Sequence, residues 1–403
     1  MKSSISVLQA LQKIGGGTSM TNQYVKKVLV IGGGISGLSA AIALNKIGIE
    51  VEIAEKELDW NVYGVGIIQP PNALRALNEI GLADACMEQG TSYAGFDYYT
   101  GQGHFLFHTA SPTIEGYPGV NGISRRKLHN ILFDAVKLIG TKIYMGTTVN
   151  TIEDQGNGVK VELNNGITCT YDLVIGSDGA NSKVRTLLFG EIEQRYSGQG
   201  VWRYNLPRPK EIENGLFYYG KDAKAGLVPM SDDLMYLLVT TNEPGNPRFP
   251  NDQLHVLLKE RMTEFGGVIA DIAKQIVDPS EVVYRPIFTH LMPSPWYKGN
   301  VLLVGDAAHG TAPHLGQGAS IAIEDVVVLA DILKHNLPVQ ETMGVFMEKR
   351  FERCKLIVEN SDQLVEWELL TAAGKMTEKV NVGEYVKMTL GKMNEPFLTE
   401  LNV

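Results

Sequence analysis

The chain has 403 residues, 44% hydrophobic and 20% charged, with a net charge of −9. That length carries two or three domains and a large core. The negative balance argues against broad nucleic-acid binding, which needs a basic face, but leaves room for a local basic pocket. Cys86, Cys169 and Cys354 are far apart and lack C-x-x-C spacing, so neither a disulfide framework nor a zinc site follows, and a reducing cytoplasm is the expected compartment. No apolar run reaches membrane-spanning length, so stable membrane insertion is not expected. The N-terminal stretch MKSSISVLQALQKIGGGTSM has too short an apolar centre for a signal peptide. Residues 1–24 are expected to be a flexible extension.

The first strong signal is KVLVIGGGISG at 27–37. Lys27–Ile31 has the composition of a buried parallel strand. Gly32, Gly34 and Gly37 follow as G-x-G-x-x-G, and 38–48 is small and apolar at helical spacing. The first glycine permits the turn, the second lets a pyrophosphate approach the backbone, and the third lets helix and strand pack closely. Phosphates then meet free N–H groups at the positive end of the helix, around Ile35 and Ser36. Glu55 ends the next apolar strand, just before Lys56, at the spacing of an acid that accepts ribose hydroxyls. Strand, turn, helix, second strand and acid together point to a dinucleotide.

A loop is expected over Gly64–Asn72, with Asn72 capping a helix over 73–80. Ser92–Thr109 alternates and is aromatic, a β-hairpin turning at Gly101–Gly103. Ser124-Arg125-Arg126 opens a second helix to about Ile139. Short strands follow at 142–144, 147–154 and 159–163. DLVIGSDGANSKVR at 172–185 is another buried strand running into a Gly/Asp turn. From 191 to 284 the texture is that of an antiparallel sheet, with strands at 200–206, 215–219 and 234–241 and one helix over 251–265. NVLLVGDAAHG at 300–310 returns to the parallel texture, and Gly316-Gln317-Gly318 opens an apolar helix to about Lys334. The remainder, 342–403, is mostly helical, a cap or contact surface compatible with a homodimer. The fold class is α/β: a discontinuous Rossmann-like domain carrying an inserted, mainly antiparallel sheet, with a C-terminal helical segment.

Three motifs in this order resemble the single-component FAD-dependent aromatic hydroxylases of the p-hydroxybenzoate hydroxylase fold: GGGISG at 32–37 with Glu55, GSDGANSKVR at 176–185, and GDAAHGTAPHLGQG at 305–318 followed by Glu324-Asp325. Within that group the chain is most similar to the salicylate, 6-hydroxynicotinate and FAD-dependent urate hydroxylases, through GIIQPPNALRAL and ISRRKLH. The resemblance implies an FAD-binding domain over 25–90, 120–188 and 285–341, and a substrate-binding sheet domain over 91–119 and 189–284. It also implies roles. Gly32, Gly34, Ile35, Ser36, Gly37, Glu55 and Lys56 would hold the ADP half of FAD, and Arg125 would contact its phosphates, with Arg126 a solvated neighbour. Asp178 and Gly179 would serve FAD and the nicotinamide. Gly305 and Asp306 would hold the ribityl chain, and Pro313, Gly316, Gln317 and Gly318 would pass the flavin ring. His309 belongs to the FAD motif, whereas His314 does not.

The implied reaction uses non-covalent FAD, NADH or NADPH as co-substrate, and O2. A flavin C4a-hydroperoxide would hydroxylate a small electron-rich aromatic or N-heteroaromatic ring of phenolic-acid type. Neither a nucleophile triad nor a metal is required, and no second G-x-G-x-x-G is present for the nicotinamide. Lys224 and Tyr236 bracket a proline much as an arginine and a tyrosine do in the urate hydroxylases. Lysine keeps the charge but loses the bidentate fork, which counts against urate itself. Arg203 could contact an anion and Trp202 could stack. Two alternatives stand beside this reading: a flavin reductase or oxidase on the same fold, and a non-catalytic FAD-binding module.

Overall fold

The structure is a computed structural model that describes residues 22–60, 65–377 and 380–398. Its first layer is a six-stranded sheet in the order Tyr297–Lys298, Val301–Leu303, Leu173–Gly176, Lys27–Ile31, Glu50–Ala54, Lys142–Tyr144. All neighbours are parallel except the first pair. The central strand, buried but for Lys27, lies where both faces are covered, as its continuous apolar run requires. Helix Ile35–Lys46 covers one face together with Gly318–Leu333 and Arg125–Leu138. The sheet's strand ends bring the three glycine-containing turns together. Gly32 has φ +102°, and a Cβ there would lie 2.6 Å from the Ser177 carbonyl oxygen. A Cβ on Gly37 would lie 1.9 Å from the Gly32 oxygen. Gly34 faces open space, with nothing within 4 Å of its would-be Cβ.

The second layer is an eight-stranded sheet in the order His309–Gly310, Val283–Leu291, Arg195–Pro207, Leu234–Asn242, Ala223–Pro229, Gly215–Tyr219, Gly95–Thr100, Phe105–Ala110. The expected hairpin forms its last two strands and joins the insert through a parallel pairing of Gly95–Thr100 with Gly215–Tyr219. Strand alternation sorts its side chains. Trp202, Tyr204, Leu237, Val239, Leu216 and Tyr218 form a core under helices Leu254–Arg261 and Gly267–Ala273. The residues alternating with them, Val201, Arg203, Phe217, Tyr236 and Leu238 among them, face the other layer.

Several boundaries differ from expectation. Val283–Leu291 pairs with Arg195–Pro207, so the second sheet extends past 284, because this strand crosses back beneath the first domain. Thr91–Tyr93 pairs instead with Val120–Ser124, and Gly66–Gln69, expected as loop, is that strand's other partner. Asn72 is not a cap: the helix is Pro71–Glu79, capped by Pro70, and Asn72 is buried in its first turn. Residues 1–21 lie outside the described residues, but Asn22 is not part of a loose extension. Its Nδ2 donates to the Leu333 carbonyl at 2.7 Å, and its Oδ1 accepts from Tyr24 and Val25 N–H. The C-terminal segment is a 34-residue helix, Val339–Ala372, followed by Val382–Asn394.

Replacing Gly37 with alanine forces the Gly32 carbonyl away from its turn, which costs about 1–3 kcal/mol, the scale of overpacking. Urea denaturation of the purified variant checks this, with a lowered midpoint at unchanged slope expected.

Candidate functional site

The two layers enclose a cavity of about 400 Å³. Its floor is the second sheet's inward face, including Val201, Arg203, Tyr236, Phe217 and Lys224. Its roof is Gly66–Ile68, Asp306 and Pro313–Ala319.

In the fingerprint turn, Gly34 leaves room for close approach to the backbone, with nothing within 4 Å of its would-be Cβ. Gly33 N–H donates to Glu55 Oε2 at 2.7 Å, and Glu57 N–H donates to Oε1 at 2.9 Å. Glu55 is buried and retains lone pairs for further donors. Ile35, Ser36 and Gly37 open the helix, where first-turn N–H groups have no intrahelical partner. The Ser36 hydroxyl is buried without a partner among the described residues. Lys56 is 67% exposed, with its ammonium 3.9 Å from Glu57 Oε1. Arg125 begins its helix, capped by Ser124, and reaches the cavity, while Arg126 is exposed.

Asp178 accepts from Lys183 N–H at 2.7 Å and Val184 N–H at 3.1 Å, so its carboxylate secures a helix start. Gly179, with φ +81°, leaves open space beside it. Arg185 in the same motif, given no role from sequence, donates to the carbonyls of Ala180 and Ala307, tying the second motif to the third. Gly305 and Asp306 form a short 3-10 turn, with the Asp306 side chain exposed to the cavity. Gly316, at φ +64°, ends the Pro313–Leu315 turn, and helix Gly318–Leu333 starts next to it, so its positive end faces the cavity.

Behind this roof lies a buried charge network that sequence reasoning missed. Arg350 donates to Asp325 Oδ1 at 2.8 Å and Glu324 Oε2 at 2.9 Å. Arg353 adds two bonds to Glu324. Asp325 Oδ2 in turn accepts from Gly305 N–H at 2.9 Å and from His309 Nε2 at 2.7 Å. Asn72 donates to Glu324 and exchanges hydrogen bonds with Gln317. Burial pushes the Asp325 carboxyl up, but His309 and Arg350 outweigh it and hold it at about 2. His309, Asp325 and Cys354 lie close enough to suggest a metal set, yet the Arg350 guanidinium already fills that space with positive charge. Two adjacent acids inside SIAIEDVVVLADIL, and Arg350/Arg353 at helical spacing in KRFERCK, were the available signals.

On the floor, Tyr236 is buried, and its ring fits only because Gly66 has no side chain: a Cβ there would lie 1.8 Å from Cδ1. Burial pushes the Tyr236 phenol up to about 12, so it stays a neutral donor. Arg203 lies on the adjacent strand, near Arg125 and Arg285. Burial, with those two charges, draws it down to about 10, opposed by Tyr236; it remains cationic at neutral pH. Among the described residues its guanidinium makes no ion pair. Lys224 differs: its Nζ is paired with Glu368, from the long C-terminal helix. Glu368 also accepts from Gln199 and from His314 Nε2, each at 3.1 Å. Burial raises the Glu368 carboxyl, and Lys224 and His314 reverse this to hold it well below its ordinary range. Trp202 is absent from the cavity; alternation turns it to the opposite face, where its Nε1 donates to Thr241 Oγ1 at 2.9 Å.

A cradle that only glycine leaves open, an orphaned hydroxyl, an acidic acceptor at a strand end and a helix start aimed into one cavity are the parts of a flavin-nucleotide enzyme. Residues 26–361 match the family described as FAD binding domain. The 2-heptyl-3-hydroxy-4(1H)-quinolone synthase of Pseudomonas aeruginosa is 31% identical over 349 residues, spanning 85% of this chain and 90% of that protein. The FAD-dependent urate hydroxylase of Mycolicibacterium vanbaalenii is 29% identical over 350 residues, spanning 82% and 86%. The crystal structure of Klebsiella pneumoniae HpxO complexed with FAD and uric acid shares the fold, with a TM-score of 0.78 at 23% identity over 92% of this chain and 93% of that one. The chain belongs to the FAD-binding-domain family and is a flavin-dependent monooxygenase of the p-hydroxybenzoate hydroxylase fold. No helix among the described residues is long and apolar enough to cross a membrane.

Gly34→Val puts a branched side chain into the cradle, where an added Cβ has nothing within 4 Å. The variant is expected to fold, by circular dichroism, yet to purify with less than about a tenth of the wild-type flavin content, since close backbone approach to the pyrophosphate is lost. Full FAD occupancy would reassign the turn.

Proposed function

We propose that this monooxygenase hydroxylates an aromatic or N-heteroaromatic ring carrying a hydroxyl or amino group, using NADH or NADPH and O2. The observation that supports this reading is one cavity with the FAD-fitting roof on one side and Tyr236 with Arg203 on the other. FAD bound there would supply hydride acceptance and oxygen activation.

The chain's own residues would do the rest. The Asp306 carboxylate, exposed to the cavity, would accept from hydroxyls of FAD's ribityl chain. The Gly318 helix start stabilises negative charge at the flavin's pyrimidine edge. The neutral Tyr236 hydroxyl donates to the ring substituent and orients the carbon next to it. Arg203 pairs with a carboxylate or another anionic edge. Lys224, expected to share that task, has its charge answered by Glu368, so it serves as cavity wall and hydrogen-bond donor. The apolar walls exclude water from the reacting atoms. The NAD(P)H site and the roles of Asp178 and Gly179 in it belong to the same reading.

A screen of phenolic and N-heteroaromatic acids for stimulated NADH and NADPH oxidation finds the substrate, and turnover under labelled O2 with product mass spectrometry tests the reaction. One labelled oxygen atom per product is expected. Tyr236→Phe is expected to keep FAD but to divert at least half of the NAD(P)H consumed into peroxide. Flavin cycling without label in any product would instead indicate a reductase or oxidase, and no cycling with any ligand a non-catalytic module.

A further inference from the structure

The cavity is longer than a phenolic acid needs. From Tyr236 the sheet continues through Ala223–Pro229, Gly215–Tyr219 and Gly95–Thr100 to Phe105–Ala110. Four steps at the usual strand spacing make about 19 Å. A second cavity of about 450 Å³ lies at that far edge, and it shares Tyr98, Tyr219, Val382, Gly383 and Val386 with the first. The two are thus adjacent, meeting at these five residues between the sheet's outer strands and the final helix, Val382–Asn394.

The extension is lined mainly by aromatic and aliphatic side chains, with Lys387 and Asn381 as its polar members on the final helix side. Tyr98 stacks on Phe107 at 4.8 Å and lies 6.1 Å from Tyr219, so aromatic faces line the passage. The charged pair at its inner end, Lys224 with Glu368, is neutral as a unit. At the outer end Phe107, 48% exposed on the edge strand, lines the second cavity, whereas a register shift turns Phe105 onto Tyr99 on the opposite face. Phe107 therefore stands beside the outer cavity, and Lys387, one residue on from Val386, adds a cation to the wall that the final helix contributes.

We infer that the substrate is a ring bearing an apolar chain, with the ring at Tyr236 and the chain lying between Tyr98, Tyr219 and Val386. This rests on the hydroxylase reading and narrows its substrate class from small phenolic acids to tailed aromatics. The chain enters past Phe107, and the ring alone reaches the reacting end.

The test uses the FAD-loaded enzyme and 4-n-alkylphenols from methyl to heptyl, with binding read from the flavin absorbance change and turnover from NAD(P)H oxidation. Affinity is expected to rise roughly threefold to fourfold per methylene, the factor for burying a CH2. Val386→Trp, which blocks the passage, is expected to flatten the series beyond propyl. Met388→Trp, on the exposed side of the same helix at 54% exposure, is expected to keep the wild-type slope and so controls for altered folding or nonspecific partition. Affinity independent of chain length, or a slope that Val386→Trp leaves intact, overturns the inference while phenol turnover still upholds the hydroxylase reading. Failure of every phenol to perturb the flavin or stimulate NAD(P)H oxidation counts against both.

Discussion

Glu324 and Asp325 stand side by side, fully buried, in a largely apolar helix, and Arg350 makes that arrangement tenable. Unpaired, each buried carboxylate would be costly to keep charged; with a guanidinium between them and every remaining oxygen taken by a donor, both stay ionised. The ionised pair then acts on what surrounds it. Asp325 holds the Gly305 N–H, and Glu324 holds Asn72, which holds Gln317. Both loops of the cavity roof are thereby fixed by one network from behind, and of its side chains only Gln317 lines the cavity.

The floor is set by a different rule. A strand gives alternate residues to opposite faces, and the same strand that buries Trp202 under two helices delivers Arg203 to the cavity. The roof and floor meet where Gly66 gives way to the Tyr236 ring. The long C-terminal helix reaches both: Arg350 and Arg353 brace the roof, and Glu368 neutralises Lys224 at the wall.

Much of the roof was legible in the sequence because backbone constraints write themselves into residue type. Gly32, Gly34 and Gly37 each answer a different steric demand, and the motif order gave the discontinuous domain. The floor was only half legible. Tyr236 and Arg203 share a face by strand parity, but the pairing of Lys224 with Glu368 joins residues 144 apart, and no local pattern announces it. Asn72 was misread for a similar reason: its local context suggests a cap, while its partners lie 245 and 252 residues away. Trp202 was misassigned because aromatic character was weighed without strand parity.

The central claim is that the network behind the roof, rather than the roof's own glycines alone, holds the flavin loops in a binding geometry. The dissociation constant of FAD for folded Asn72→Ala apoprotein, measured by flavin fluorescence quenching, tests it most directly, because Asn72 links Glu324 to Gln317 yet does not itself reach the reacting end. Loss of those charge-assisted bonds should weaken FAD by about tenfold or more, the scale of a hydrogen bond to an ionised group. A dissociation constant within a factor of about two of wild type, in a variant that remains folded, would contradict the account.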